Sequence, residues 1–166
     1  MGDMDKLRHL SPDGNARMVD VSDKAVTRRA AAAEAWVDVG SDIADKLRVS
    51  GGAAKGNVLQ TARLAGIAAA KQTPGLIPMC HPVPLDGIEV EAELLGDRVR
   101  ITAAVRCEGK TGVEMEAMTA ASVAALTVYD MVKSAGRGVE IGPVRLLEKS
   151  GGKSGCWKRE DADGQG

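Results

Sequence analysis

Asp130 and Lys133 are the pair of residues whose types and spacing best suit acid–base chemistry. An i,i+3 spacing places two side chains on one face of a helix, and no charged residue lies between Glu116 and Asp130. A carboxylate and an ammonium group in such an apolar setting have shifted pKa values, which suits them for proton transfer. An exposed ion pair worth about 0.3–0.5 kcal/mol is an equally good interpretation of the residues alone.

His81 is a second candidate, because it lies in the motif Cys80-His81-Pro82 within a segment that holds three prolines. Prolines restrict the backbone, which suits a histidine positioned as an acid, a base or a hydrogen-bond donor. The alternative is a surface-loop histidine without a role, and the sequence alone slightly favours it. A metal site is not predicted, because the partner ligands usual for zinc are missing.

Two acidic residues, Glu114 and Glu116, lie at the predicted start of a long helix. They either complement the positive end of the helix dipole or serve a site. Residues i and i+2 do not share a helical face. We therefore expect both acids to reach one site only if this stretch is extended, and otherwise only one of them.

The distance between Glu116 and Asp130 limits how they can act together. Fourteen residues of helix separate them, which corresponds to about 21 Å. One small substrate does not span that distance within a single chain. Two such helices running antiparallel across a two-fold axis would bring the start of one beside the end of the other. The sequence therefore predicts a composite site between subunits.

Lysines in glycine-rich surroundings are the candidates for binding an anion. The segments 109–111 and 152–154 resemble parts of a P-loop, but each lacks the earlier glycine of that motif. Lys149, Lys153 and the glycines between them can still surround an anion with ammonium and backbone N–H groups. Lys55, in another glycine-rich loop, can add to this set. A solubilising tail is the equally good alternative.

Hydrophobic periodicity and turn residues predict the elements that position these candidates. Pro74 is expected to end the first long helix, and Pro143 to confine the last strand to a sheet edge or a bulge. Strands are predicted over residues 27–39, 88–95, 99–105 and 139–147, long helices over 57–72 and 113–135, and a short helix over 41–49.

The resulting order is β-α-β-β-α-β once the short helix is treated as an insertion, which matches the ferredoxin-like motif. We therefore predict an α+β fold with an antiparallel sheet and two long helices on one face. The strands are so apolar that a partner subunit is the expected cover for the other face.

Length and composition bound the class of protein. The 166 residues predict one domain over 18–156, between a flexible arm at 1–17 and a flexible tail at 157–166. A net charge of −1 argues against a general nucleic-acid binder. Three well-separated cysteines argue against a disulfide scaffold, and no apolar run is long enough to span a membrane. A reduced, cytoplasmic setting is expected.

Six motifs, taken together and in this order, resemble the MoaC family of cyclic pyranopterin monophosphate synthases. They extend over nearly all of the predicted domain, from Met18 to Gly155. They are MVDVS at 18–22, TARLAGI at 61–67, IPMCHP at 77–82, TGVEMEA at 111–117, YDMVK at 129–133 and KSGGKSG at 149–155.

The resemblance implies a reaction and an assembly. The family converts (8S)-3′,8-cyclo-7,8-dihydroguanosine 5′-triphosphate, made upstream by a radical GTP cyclase, to cyclic pyranopterin monophosphate with release of pyrophosphate, in molybdenum cofactor biosynthesis. Its fold is ferredoxin-like, and its assembly is a homohexamer, a trimer of dimers, with sites at subunit interfaces. The sequence requires no cofactor, and Mg²⁺ bound to the triphosphate is compatible with it.

The resemblance also implies roles for individual residues. Asp130 matches the catalytic aspartate of the family, and Lys133 is its neighbour in the same site. Residues at substrate-binding positions are Met79, Cys80, His81, Met115 and Glu116, and further polar residues of the site are Lys55, Glu114 and Lys149.

Two classes of non-catalytic protein compete with an enzyme. A ferredoxin-like RNA-binding module needs stacking aromatics on its strands, and the strands predicted at 88–95 and 99–105 contain none. A nucleotide-sensing regulatory domain would need the anion-binding lysines but neither Asp130 nor Lys133, so the effect of replacing Asp130 on turnover separates it from an enzyme.

Overall fold

The structure is a computed structural model that describes residues 9–50 and 57–160. Its order confirms the predicted β-α-β-β-α-β arrangement, with one inserted helix and a short additional strand. The elements are β1 (Thr27–Asp38), α1 (Ser41–Ser50), α2 (Val58–Leu76), β2 (Gly87–Leu95), β3 (Arg98–Gly109), α3 (Glu114–Val132), β4 (Glu140–Ser150) and β5 (Trp157–Lys158).

The five strands form one antiparallel sheet in the order β2-β3-β1-β4-β5. The central strand, β1, alternates in burial, so that Ala31, Ala33, Ala35 and Val37 are buried and point towards the helices. Helix α3 packs on β1, β3 and β4, and α2 packs on β2 and α3. Both long helices therefore cover the same face, as predicted.

Small side chains let α2 and α3 approach closely. A Cβ atom at Gly66 of α2 would lie 3.0 Å from the carbonyl oxygen of Ala120 and 3.1 Å from Cγ1 of Val90. Ala120, Ala121 and Ala124 of α3 are fully buried. An aliphatic core rich in alanine thus holds the helices close to each other and to the sheet, and a larger residue at position 66 would force them apart.

The prediction that Pro74 ends the first long helix is wrong, because α2 continues to Leu76. Proline cannot donate a hydrogen bond to the carbonyl four residues earlier, which here belongs to Ala70. The buried hydroxyl of Thr73 donates to that oxygen instead, at 3.0 Å. The carbonyl is therefore satisfied by a side chain, and the helix tolerates the proline in its last turn.

On the side of β1 that carries β4, the sheet has one more strand than the sequence predicted. The register of β4 against β1 shifts at Pro143, which confirms the bulge, one of the two alternatives predicted for this proline. Trp157 and Lys158, which the sequence placed in a flexible tail, pair with β4 as β5. The predicted loop at 51–56, including Lys55, lies outside the described residues.

The face of the sheet away from the helices is charged rather than apolar, so the expectation of an apolar face is wrong. The alternation that turns alanine and valine inwards turns polar residues outwards. Glu34 on β1 is 2% exposed and accepts hydrogen bonds from Arg100 at 3.0 Å and Arg145 at 2.6 Å. The guanidinium group of Arg98 lies 4.5 Å from the centre of the Trp36 ring. Whether a partner covers this face stays a prediction.

The hydrogen bonds of Glu34 outweigh the effect of its burial. Burial raises the pKa of Glu34, but hydrogen bonds from Arg145, Trp36 and Arg100 lower it by more. The pKa therefore lies below the ordinary 4.5. One buried carboxylate thus links three adjacent strands, β3, β1 and β4.

Replacing this carboxylate (Glu34→Gln) is expected to lower the free energy of unfolding at pH 7 by about 1.5–3 kcal/mol, because two charge-assisted bonds are lost. A lowered folded pKa gives stability that is present above the unfolded value and is lost as pH falls through the folded pKa. The difference between variant and parent should therefore shrink on acidification. Urea unfolding across pH measures both effects.

The control is Glu91→Gln, which removes an exposed ion pair with Arg63 and should cost less than about 1 kcal/mol. Equal losses in the two variants, or a loss at Glu34 that does not change with pH, would contradict the network.

Candidate active site

A cavity of about 310 Å³ opens where the first turn of α3 meets the proline-rich segment before β2. The structure brings six of the predicted site residues into its lining. These are Met79, Cys80, His81, Glu114, Met115 and Glu116. Two separate motifs, IPMCHP and TGVEMEA, therefore meet in space, and a role for His81 there stays a prediction.

Local backbone contacts position the two motifs. The backbone N–H of Cys80 donates to the carbonyl of Ile77 at 3.1 Å, which makes a turn just before His81. On the other side, Gly112 joins β3 to α3, and a side chain at this position would collide with the carboxylate of Glu114. The absence of a Cβ atom at Gly112 therefore lets that carboxylate lie back over the loop.

Both acids of the first turn line the cavity, although α3 already begins at Glu114. The expectation that a helical stretch would present only one of them is wrong. The cavity lies at the end of the helix rather than along one side, so different faces of the first turn reach it. Glu114 forms an ion pair with Lys149 of β4 at 2.9 Å, which ties the start of α3 to the sheet.

Glu116 is the carboxyl group best placed to hold a proton. It is 3% exposed, and burial raises its pKa above the ordinary 4.5. A hydrogen bond from its own backbone N–H lowers the pKa, while the negative charge of Glu114 raises it again. A raised pKa makes a carboxyl group better suited to act as a general acid.

Cys80 is held as a thiol rather than a thiolate. Burial raises its pKa, and the nearby charge of Glu116 raises it further. The thiolate is the nucleophilic form of cysteine, so this cysteine is suited to contacting a ligand rather than to attacking it.

The N-terminal segment supplies residues that the sequence reasoning missed. His9, Val19, Val21 and Lys24 also line the cavity, and Lys110 pins the segment by donating to the carbonyl of Ser22 at 2.7 Å. The available signal was the MVDVS motif, whose alternating valines indicate one face turned inwards. His9 had no signal, because it lies in a polar stretch that predicted only a flexible arm.

Asp130 and Lys133 form the predicted i,i+3 ion pair at 2.6 Å, and their side chains are 58% and 56% exposed. The apolar setting expected for them is therefore wrong for the single chain. The pKa of Lys133 is raised by its hydrogen bond to Asp130 and by the charge of that carboxylate. Neither residue lines the cavity at the other end of α3, as the length of the helix predicted.

The two lysines proposed to surround one anion point to different places. Lys149 binds Glu114 beside the cavity, whereas Lys153 lines a second cavity beyond the turn that follows β4. Within residues 9–50 and 57–160, no three histidine, cysteine or acidic side chains group closely enough to hold a metal ion. None of the helices in that same part of the chain is long and apolar enough to cross a membrane.

A ferredoxin-like α+β domain with a histidine and a buried carboxyl group of raised pKa in one cavity has the features of an acid–base site. Residues 18–152 match the MoaC family, which covers most of the chain. The chain therefore belongs to the MoaC family, the family of cyclic pyranopterin monophosphate synthases. Its role lies in molybdenum cofactor biosynthesis.

The raised pKa of Glu116 can be measured by carbon-13 NMR of the glutamate side chains. We expect Glu116 to titrate above 4.5. In Glu114→Gln its pKa should fall but stay above that value, because burial is the larger cause and remains. Glu93→Gln on the distant strand β2 is the control and should leave the titration unchanged. An ordinary pKa in the parent, or equal shifts in both variants, would exclude this description of the cavity.

Proposed function

We propose that this chain converts (8S)-3′,8-cyclo-7,8-dihydroguanosine 5′-triphosphate to cyclic pyranopterin monophosphate and pyrophosphate. Family membership supports the substrate and the product. The observation that carries the proposal is the cavity in which His81 lies with Glu116, a buried carboxyl group whose pKa is raised. Opening and re-closing a purine ring needs groups that give and take protons, and these two residue types supply both.

The proposed site is composite. In the single chain, Asp130 and Lys133 are exposed at the far end of α3, too far from the cavity to act on one small substrate there. Apolar side chains beside them, Leu126 and Tyr129, are exposed as well. A second copy with α3 antiparallel would cover these side chains and bring the pair to the partner's cavity. We propose a homohexamer, a trimer of dimers, with sites at subunit interfaces.

The setting of the reaction follows from the proposed substrate. A radical GTP cyclase would act immediately before this chain, and Mg²⁺ bound to the triphosphate would accompany the substrate. All three cysteines are free thiols, which fits the proposed cytoplasmic location. The remaining alternative is a nucleotide-sensing domain of the same fold, which the anion-binding lysines alone would satisfy.

Supplying the cyclised GTP and measuring pyrophosphate release tests the reaction. Asp130→Ala is expected to lower turnover about 10²–10⁴-fold, because a proton-transfer group is removed, while folding and substrate affinity are largely kept. Asp42→Ala on α1, also an exposed aspartate, is the matched control and should leave turnover unchanged. If Asp130→Ala turns over at the parental rate, Asp130 has no role in the mechanism. If the parent protein releases no pyrophosphate, the proposed reaction is refuted.

Mixing two inactive variants tests whether the site is composite. Co-expression of His81→Ala and Asp130→Ala chains in equal amounts should restore about a quarter of parental activity, because one interface site in four then takes both residues from unaltered positions. Each variant assembled alone serves as the baseline. If mixed assemblies, verified by two different affinity tags, stay at that baseline, then both residues of each site come from one chain.

A further inference from the structure

Residues 9–17 fold into a small hairpin of their own. The sequence SPDG at 11–14 makes its turn, which closes with a hydrogen bond of 2.9 Å from the N–H of the last residue, Gly14, to the carbonyl of the first. Proline at the second position and glycine at the fourth favour such a turn, and Gly14 has a φ angle of 80°. At the open end, the N–H of Arg17 donates to the carbonyl of His9 at 2.9 Å. The backbone of His9 is therefore held by the hairpin.

The chain that follows the hairpin is anchored against the cavity of the candidate active site. Val19 and Val21 are half-buried and line that cavity. The backbone N–H and the hydroxyl of Ser22 donate to the carboxylate of Asp20 at 2.8 and 2.6 Å. The ammonium group of Lys110, which follows β3, donates to the carbonyl of Ser22 at 2.7 Å. The body of the domain thus fixes the segment that carries the hairpin.

The cavity brings together the two histidines of the sequence, His9 and His81. His81 comes from the proline-rich segment before β2, whereas His9 comes from the hairpin at the other end of the chain segment that covers the cavity. Two independent parts of the chain therefore supply an imidazole to the cavity that Glu116 also lines. His9 is exposed in the single chain, so a ligand can reach its ring without any rearrangement of the core.

We propose that His9 binds the substrate directly, as a second histidine of the candidate active site. This inference rests on the proposed function for the identity of the substrate. A purine-derived ring system presents both donors and acceptors along its edges. A neutral imidazole can pair with either kind of group, because one ring nitrogen donates and the other accepts. Since the hairpin holds the backbone of His9 before the substrate arrives, binding costs less conformational entropy than it would with a free chain end.

Steady-state turnover of the cyclised GTP tests the contact. His9→Leu keeps much of the bulk of the side chain but no hydrogen-bonding atom, and it is expected to lower kcat/KM about ten-fold, mainly through a higher KM. Gly14→Val keeps the imidazole but strains the turn, and it should lower kcat/KM about three-fold. Asp13→Asn, an isosteric change at the exposed tip of the same hairpin, is the control and should retain the parental kcat/KM.

Chemical modification of the imidazole rings tests the contact without turnover. Diethyl pyrocarbonate acylates histidine, and mass spectrometry of the peptides assigns the product to His9 or to His81. The Asp130→Ala protein is used, because the substrate is expected to bind to it and to be converted only slowly. We expect the cyclised GTP to slow the modification of both histidines over the same range of concentration.

The outcomes separate this inference from the proposed function. A parental kcat/KM in His9→Leu, or protection of His81 alone, would overturn the contact but leave the reaction standing. Urea unfolding of His9→Leu should give the parental free energy, and a loss of stability that explains the lost activity would also overturn the contact. If the parent has no turnover but the cyclised GTP protects both histidines, the reaction is refuted and the contact of His9 is retained.

Discussion

Close packing of α3 on the sheet through alanine side chains determines where both ends of that helix lie. Ala120, Ala121 and Ala124 are fully buried, and α3 packs both on the central strand β1 and against α2. Side chains this short keep the helix near the sheet and leave little freedom to shift. The first turn is consequently held against the loop that follows β3, where it closes a cavity. The last turn is held out in solvent with Asp130 and Lys133.

Two buried glutamates show how neighbours decide the charge of a carboxyl group in this fold. Burial raises the pKa of both Glu34 and Glu116. Glu34 accepts bonds from two arginines and stays ionised, so it serves to connect strands. Glu116 has another carboxylate, Glu114, as its neighbour, and the charge of Glu114 raises its pKa. Without a cationic partner to offset its burial, Glu116 has a raised pKa.

Periodicity was sufficient to predict the elements and their order, because alternation and helical spacing reflect burial on one face. It failed where side chains replace backbone bonds or where pairing is not local. The hydroxyl of Thr73 lets α2 pass through Pro74, and Trp157 joins the sheet because its partner strand ends nearby. Neither effect has a periodic signal in the sequence.

Some residues of the candidate site could be predicted from the sequence, and others could not. Motif spacing and family resemblance identified His81 and Glu116 before their proximity was known. The contribution of His9 could not be found, since a chain segment that folds back over a cavity leaves no local pattern. The exposure of Asp130 was also unpredictable, because the apolar residues around it on α3 face either the core or open solvent, and sequence alone does not distinguish the two.

The separation of Lys149 from Lys153 follows from strand geometry and has a chemical consequence. Lys149 is still within β4 and points to the helix side, where it meets Glu114, whereas the glycine turn that follows β4 carries Lys153 to the second cavity. The ion pair with Glu114 holds Lys149 at the start of α3, so Lys149 and Lys153 do not surround one anion together.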